Sequence, residues 1–261
     1  MKKLLALTAF TALGTLAVPA LAAPAVGLVG DRTLVMFDTD TREVTGTMEV
    51  TGVETLAGID LRPSNRTLVG VTSDHVVVTI DLSTGAATEL SRMDVALPVE
   101  GGPVIVDFNP AADKLRYMSG TTNHRVDVDS GKVTVDGSLA FEAGDMHAGE
   151  APAIVAAAYS QSYGKPEATK MYDIDATIVA LIRQTAPNDG TLAAVGKLGI
   201  EAPTDTFAFD IATSAEMADT AYLVNGSALY TVDLATGAAT MAGEITGAPG
   251  PIRDLTILPA E

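Results

Sequence analysis

The sequence predicts an all-β protein: a β-propeller of about five four-stranded blades, its ring closed by pairing of a C-terminal strand with N-terminal strands. Three observations lead there. An apolar run, an Asp, a Thr/Ser-Gly turn and a second run recur at spacings of 43, 46, 48 and 58 residues, measured between Asp38, Asp81, Asp127, Asp175 and Asp233. A second unit precedes these copies, an apolar strand that in most of them carries its own Asp. Helical periodicity is nowhere sustained beyond residue 22. Four short β-branched runs parted by turn residues, repeating every ~45–50 positions, have the spacing of a propeller blade.

Residues 1–22 read as a signal peptide. Lys2 and Lys3 precede the apolar run Leu4–Val18, Pro19 breaks it, and Ala20-Leu21-Ala22 gives the small-x-small cleavage pattern before Ala23. The competing reading is an uncleaved anchor, because about 19 residues just span a bilayer. Gly14, Pro19 and the Ala-rich end favour cleavage. Loss of the two lysines takes the formal charge from -17 to -19. No later segment has the length and apolarity of a membrane span, so residues 23–261 are expected as one exported domain, monomeric and periplasmic or secreted.

Val26 to Val50 reads as strands two, three and four of a blade. The first full blade opens on Gly58-Ile59-Asp60-Leu61-Arg62-Pro63 and closes through Ile80-Asp81-Leu82-Ser83-Thr84-Gly85. The next opens on Val106-Asp107-Phe108-Asn109-Pro110 and closes through Asp127 to Thr134. In the following copy Ile154 to Tyr159 takes the first-strand place, with Ala158 where the Asp should stand. The last opens on Phe207-Ala208-Phe209-Asp210-Ile211 and closes through Val232-Asp233-Leu234-Ala235-Thr236-Gly237. Arg253 to Leu258 remains as an orphan first strand, and pairing it with the N-terminal strands hides an exposed sheet edge. A six-bladed ring, made by splitting Gly144 to Ala202, is the competing count. The longest irregular stretches are Ala140–Pro152 and Ser160–Ala168. The second, carrying Tyr163-Gly164-Lys165-Pro166, is a candidate to overhang a channel mouth.

Composition limits the chemistry. With 33 acidic against 16 basic residues, the surface repels phosphate backbones, so nucleic acid is excluded as a partner. There is no cysteine, hence no disulfide, thiolate metal site or Cys nucleophile. Tryptophan is absent and aromatics make up 5%, poor material for stacking sugars. A serine-hydrolase elbow, a phosphate-binding Gly loop and a dinucleotide fingerprint are all missing. His75, His124 and His147 are scattered, without metal-ligand spacing, and read as surface residues in turns or loops.

Two sets of aspartates remain. Asp38, Asp81, Asp127, Asp175 and Asp233 sit at strand ends, where a carboxylate accepts backbone N–H groups two residues on and builds the turn. Asp127-Val128-Asp129-Ser130-Gly131 comes nearest to a calcium loop but lacks the later Glu. Asp60, Asp107, Asp210 and Asp254 fall on the channel-lining first strands, with Arg62, Asn109 and Arg253 beside them. A ring of carboxylates raises its members' pKa values or recruits a cation, and Ca²⁺ is the one that hard oxygens would take. Arg62 and Arg253 would instead neutralise the acids, and Asn109 would add an amide oxygen. The competing reading has each Asp accept N–H groups of the adjacent blade, which the regular recurrence favours.

These phrases, together with Pro187-Asn188-Asp189-Gly190-Thr191-Leu192 and Leu229-Tyr230-Thr231-Val232-Asp233, resemble the bacterial family catalogued as domain of unknown function 4394. The resemblance runs in order over essentially all of residues 23–261. It implies a single exported β-propeller-like domain and no particular activity.

The expected function is therefore a non-enzymatic exported binding module for a protein, polymer or small ligand. Two alternatives stand beside it: a Ca²⁺-dependent hydrolase or lyase using the channel carboxylates, and a structural envelope protein.

Overall fold

The computed structural model describes residues 23–99 and 102–259. The expected signal peptide lies outside the described residues. No helix occurs among them, and none is present that is long and apolar enough to cross a membrane.

Five antiparallel sheets form the ring. Blade 1 is β1 (Pro24–Val29), β2 (Thr33–Asp38) and β3 (Val44–Glu49), completed on its inner side by β21 (Ile252–Ile257). Blade 2 runs β4 (Leu56–Arg62), β5 (Thr67–Thr72), β6 (Val76–Ile80) and β7 (Ala87–Arg92). Blade 3 is β8 (Ile105–Asn109), β9 (Lys114–Ser119), β10 (Thr122–Asp127) and β11 (Lys132–Val135). Blade 4 is β13 (Ile154–Tyr159), β14 (Met171–Asp175), β15 (Ala180–Ala186) and β16 (Thr191–Lys197). Blade 5 is β17 (Phe207–Thr213), β18 (Asp219–Asn225), β19 (Ala228–Val232) and β20 (Ala239–Glu244). The region whose division would have made a sixth blade forms one blade, so the count is five. Part of the stretch Ala140–Pro152 is not irregular: β12 (Ala140–Phe141) adds a parallel edge to β16, pairing Ala140 with Thr191 and Phe141 with Leu192.

β21 closes the ring against β1, with Ala25 opposite Ile257 and Leu28 opposite Asp254. The core lies between blades as five separate apolar clusters, one at each interface. Strand alternation feeds two interfaces at once. On β5, Leu68 joins the cluster shared with blade 1, while Val69 joins the one shared with blade 3. Both faces of a middle strand are therefore dry, so these strands read as unbroken apolar runs.

The strand-end aspartates build their turns as expected. Asp81 Oδ1 accepts the Ser83 N–H at 2.7 Å, and Asp233 Oδ1 accepts the Ala235 N–H at 2.8 Å. Asp38 and Asp175 do the same, and Asp127 Oδ1 accepts the Ser130 N–H three residues on at 3.1 Å. The residue four positions after each Asp has positive φ. It is glycine at Gly85, Gly131 and Gly237, but Arg42 (φ 61) and Val179 (φ 47) hold the same place in blades 1 and 4. Dihedral freedom alone thus does not demand glycine. Closeness does at Gly131, where an added Cβ would lie 2.0 Å from the Arg92 carbonyl oxygen of blade 2. Gly131→Ala is expected to cost about 2–4 kcal/mol from the left-handed conformation and the forced backbone shift, read as a lowered denaturation midpoint.

Candidate functional site

The five inner strands β4, β8, β13, β17 and β21 bring one residue each to a common level around the axis. Hydrogen bonds define that level. Asp60 Oδ2 accepts the N–H of Phe108 at 2.7 Å, Asp107 Oδ1 that of Tyr159 at 2.8 Å, and Asp210 Oδ2 that of Ile257 at 2.5 Å. Each donor directly follows the corresponding residue of the next blade. In blade 1 the position belongs to Thr256, whose hydroxyl accepts the Leu61 N–H at 3.1 Å and donates to Asp60 Oδ1 at 2.9 Å. In blade 4 it belongs to Ala158, which has no group to offer. The Ile211 N–H instead bonds Asp210's own Oδ1 at 2.6 Å.

Asp254 was expected at this level and stands elsewhere. It lies two residues before Thr256 on the same side of β21, where Oδ2 accepts the Ile59 N–H at 2.7 Å. Its space exists because Gly58 has no Cβ, which would come within 2.7 Å of that oxygen. A two-residue offset preserves the face on which a side chain points, so alternation in the sequence does not reveal it.

Asp60, Asp107 and Asp210 are all buried and offer ligand-type oxygens within 4.8 Å of one another. Burial and the nearby Asp210 hold the Asp60 carboxyl well above the usual range. Burial and then Asp60 and Asp210 do the same to Asp107. Burial lifts Asp210 to about 6 and Asp254 to about 7. Five of the six oxygens in the triad accept backbone N–H groups, one of them also the Thr256 hydroxyl. This donor set fits carboxyls that tie blades together, and the closeness of the three acids fits shared protons or one cation.

The other candidates face away from the triad. Arg62 spreads its guanidinium across two carboxylates of blade 3, reaching Asp113 at 2.7 and 2.9 Å and Asp129 at 2.7 and 2.8 Å. Arg253 donates to the carbonyls of Gly30, Leu56 and Ala57. Asn109 Oδ1 accepts the Ala112 N–H at 2.9 Å and shapes its own hairpin. Asp127 and Asp129, of the nearest calcium-loop match, pair with Lys114 and Arg62.

The histidines correct a second expectation. His124 is no surface turn residue: it lies on β10, 2% exposed, and burial lowers its pKa. Reading the sequence also missed Arg116, a charged side chain amid the apolar run Leu115–Met118, which is fully buried between blades 3 and 4.

The symmetry breaks at blade 4. Where Ala158 removes the inter-blade carboxylate, the long connection from Ser160 to Lys170 crosses to blade 5. Ser162 donates through Oγ to the Ile211 carbonyl at 2.8 Å and through N–H to Thr213 Oγ1 at 2.7 Å. Gln161 donates through N–H and Nε2 to the two oxygens of Asp219. Tyr163 lies over the channel mouth with Asp60, Asp107 and Asp210 below it, lining a space of ≈ 50 Å³. On the outer side, the same connection borders a groove of ≈ 940 Å³ between blades 4 and 5, walled by Lys170, Tyr172, Arg183, Val195, Asp219 and Leu234.

Comparison with known proteins supports the fold. Over 93% of its length the chain superposes on 68% of a structural genomics protein of unknown function from Bacteroides thetaiotaomicron VPI-5482, at 14% identity and a TM-score of 0.54. A protein of unknown function from Bacteroides caccae matches at 13% identity and a TM-score of 0.45, covering 84% of this chain and 72% of that one. An auxiliary nutrient binding protein from Bacteroides ovatus ATCC 8483 matches at 13% identity and a TM-score of 0.44, covering 73% and 50%. No curated protein matches in sequence. The family model described as domain of unknown function DUF4394 matches residues 33–256, the span from β2 to β21, and the chain belongs to that family.

Proposed function

We propose that this protein is an exported, non-enzymatic binding module whose ligand site is the groove between blades 4 and 5. One observation carries the reading: the blade whose inner strand carries no Asp at all is the blade whose long first hairpin connection opens a groove of ≈ 940 Å³. Departure from a repeat marks where selection has acted on something other than ring closure, and a groove of this size is in the range of small-molecule sites. The exposed turn residue Ala235 lines it from blade 5. A thermal-shift screen of metabolites and oligosaccharides should yield ligands that raise the melting temperature, and Ala235→Trp should abolish the shift. Ligands indifferent to Ala235→Trp, or turnover of a ligand by the protein, would overturn the reading.

The close approach of Asp60, Asp107 and Asp210 supports a second reading, in which the triad holds Ca²⁺ as a cofactor. Melting in EDTA and then in millimolar Ca²⁺ separates the two: a metal bound a hundredfold above its Kd adds about 2.7 kcal/mol, and an unchanged melt removes the cation.

A further inference from the structure

We infer that the groove between blades 4 and 5 takes a small organic anion, a carboxylate carried on a partly apolar body. The inference rests on the groove being the ligand site and names the chemistry of its occupant.

The first support is the distribution of positive charge. In a chain of formal charge -17, a basic side chain without a carboxylate partner needs an explanation. Arg32, Arg62, Arg92, Lys114, Arg116, Arg125 and Lys132 each have a carboxylate within 4.0 Å. Arg42, Lys197 and Arg253 donate to backbone carbonyls. The remaining basic residues among the described ones are Arg66, Lys165, Lys170 and Arg183, and none of their side chains has a hydrogen-bonded or ion-paired partner there. They gather round one connection. Lys165 belongs to it and Lys170 ends it. Arg66 lines a neighbouring hollow with Tyr163 and Gly164, and Arg183 and Lys170 both line the groove.

The second support is independent of charge. Tyr172 is 6% exposed and lines the groove, and its hydroxyl has no hydrogen-bond partner among the described residues. The hydroxyl itself is not buried, so it reaches the open space of the groove and can donate to an occupant there. It stands directly opposite Arg183 in the β14–β15 register, so a hydroxyl donor and a guanidinium fork meet the same space. Burial raises the Tyr172 pKa, which keeps it a donor. The acid in the groove, Asp219, accepts hydrogen bonds from the neutral groups of Gln161 and Thr213, and Lys170 and Arg183 outnumber it. Guanidinium, ammonium and phenol together make the donor set of a carboxylate site, with Arg183 able to bond both oxygens at once. Val195 and Leu234 give the wall an apolar side that a bare inorganic ion would not use. At physiological salt the screening length is about 8 Å, so the distant carboxylates do not cancel this local field.

The test uses residues 23–261 and matched pairs of probes: acetate and acetamide, 4-phenylbutyrate and its amide, glucuronate and glucose, with inorganic phosphate and sulfate alongside. Titration followed by amide NMR should show saturable shifts around Arg183, Lys170 and Tyr172. Within each pair the anion should bind at least tenfold tighter, with 4-phenylbutyrate the tightest. Arg183→Gln should erase the difference while leaving the fold's spectrum intact. No saturable shift from any carboxylate at these residues, or phosphate or sulfate binding more tightly than every carboxylate, overturns the inference. Neutral ligands that bind and are lost in Ala235→Trp would refute the anion and spare the groove. Anions that bind with Ala235→Trp unaffected would refute the groove itself.

Discussion

Arg116→Ala is expected to remove about 3–5 kcal/mol of stability, enough to lower the melting temperature by about 10 °C or more. Arg116 is 2% exposed and all three of its guanidinium nitrogens are engaged. Nη1 donates to Asn123 Oδ1 at 2.8 Å and Asp136 Oδ2 at 2.7 Å, Nη2 to Asn188 Oδ1 at 3.0 Å, and Nε and Nη2 to the Tyr159 hydroxyl at 3.2 and 3.1 Å. Arg116 and Asn123 come from blade 3, Tyr159 and Asn188 from blade 4. Truncation strands the Asp136 carboxylate in a nearly dry site with Arg125 as its remaining ion partner, and takes a donor from Asn123 Oδ1, Asn188 Oδ1 and the Tyr159 hydroxyl. Arg116→Lys should recover little, because a single ammonium cannot replace the planar fork. Equilibrium urea unfolding checks both variants; a loss below about 1 kcal/mol for Arg116→Ala would show that the network relaxes or hydrates instead.

Melting temperature is expected to rise as pH falls from 8 to 5. Asp173 and Asp254 are held at about 7 and Asp210 at about 6 by burial, and Asp60 and Asp107 are raised well above the ordinary range. Each raised acid binds a proton in the folded state at a pH where the unfolded chain has released it. Its contribution is complete below the unfolded value, about 3.9, and is lost as pH climbs through the folded one. Asp113, Asp127 and Asp129 work the other way, since hydrogen bonds to Arg62 and Lys114 hold them low, and their contribution goes as pH drops through their folded values. The optimum should therefore fall near pH 4–5, unlike the more common range of about 5–8. Asp107→Asn isolates the cause. Its amide oxygen can still accept the Tyr159 N–H, while the amide nitrogen takes the place of the oxygen that has no hydrogen-bond donor among the described residues. This variant should gain about 1–3 kcal/mol at pH 8 and flatten the profile. Glu54→Gln, an exposed acid removed elsewhere, should leave the slope unchanged. A melting temperature that climbs with pH over this range would mean that the buried acids are ionised in the fold and paired with something positive.

The blades were legible because each repeat spells its own strands and turns, and because β-branched runs at a fixed spacing have few other solutions. The channel was half legible. Asp60, Asp107 and Asp210 meet, but Asp254 shares their face and not their level, and a period of two carries no information about which level a residue occupies. Thr256 escaped notice because one hydroxyl in a strand looks like any surface threonine. Arg116 did leave a signal, a lone charge inside a strand whose neighbours on both sides are apolar. The groove left two, the Ala158 gap and the long connection after it, yet neither shows that Lys170, Tyr172 and Arg183 converge. That depends on the β14–β15 register, which sets Tyr172 opposite Arg183, and the turn between the two strands does not spell that pairing out.

Closure through β21 also sets an order of events during synthesis. Blade 1 lacks its inner strand, and the interfaces on its two sides lack the Thr256 hydroxyl and the Ile257 N–H, until the ribosome has passed Ile257. The preceding four blades stand complete in sequence, yet the ring they belong to has a gap that only the last strand fills. A growing chain therefore cannot close the ring before β21 has been made. By the same logic, trimming a few residues after Pro251 would undo two interfaces at once and count as damage to the whole ring.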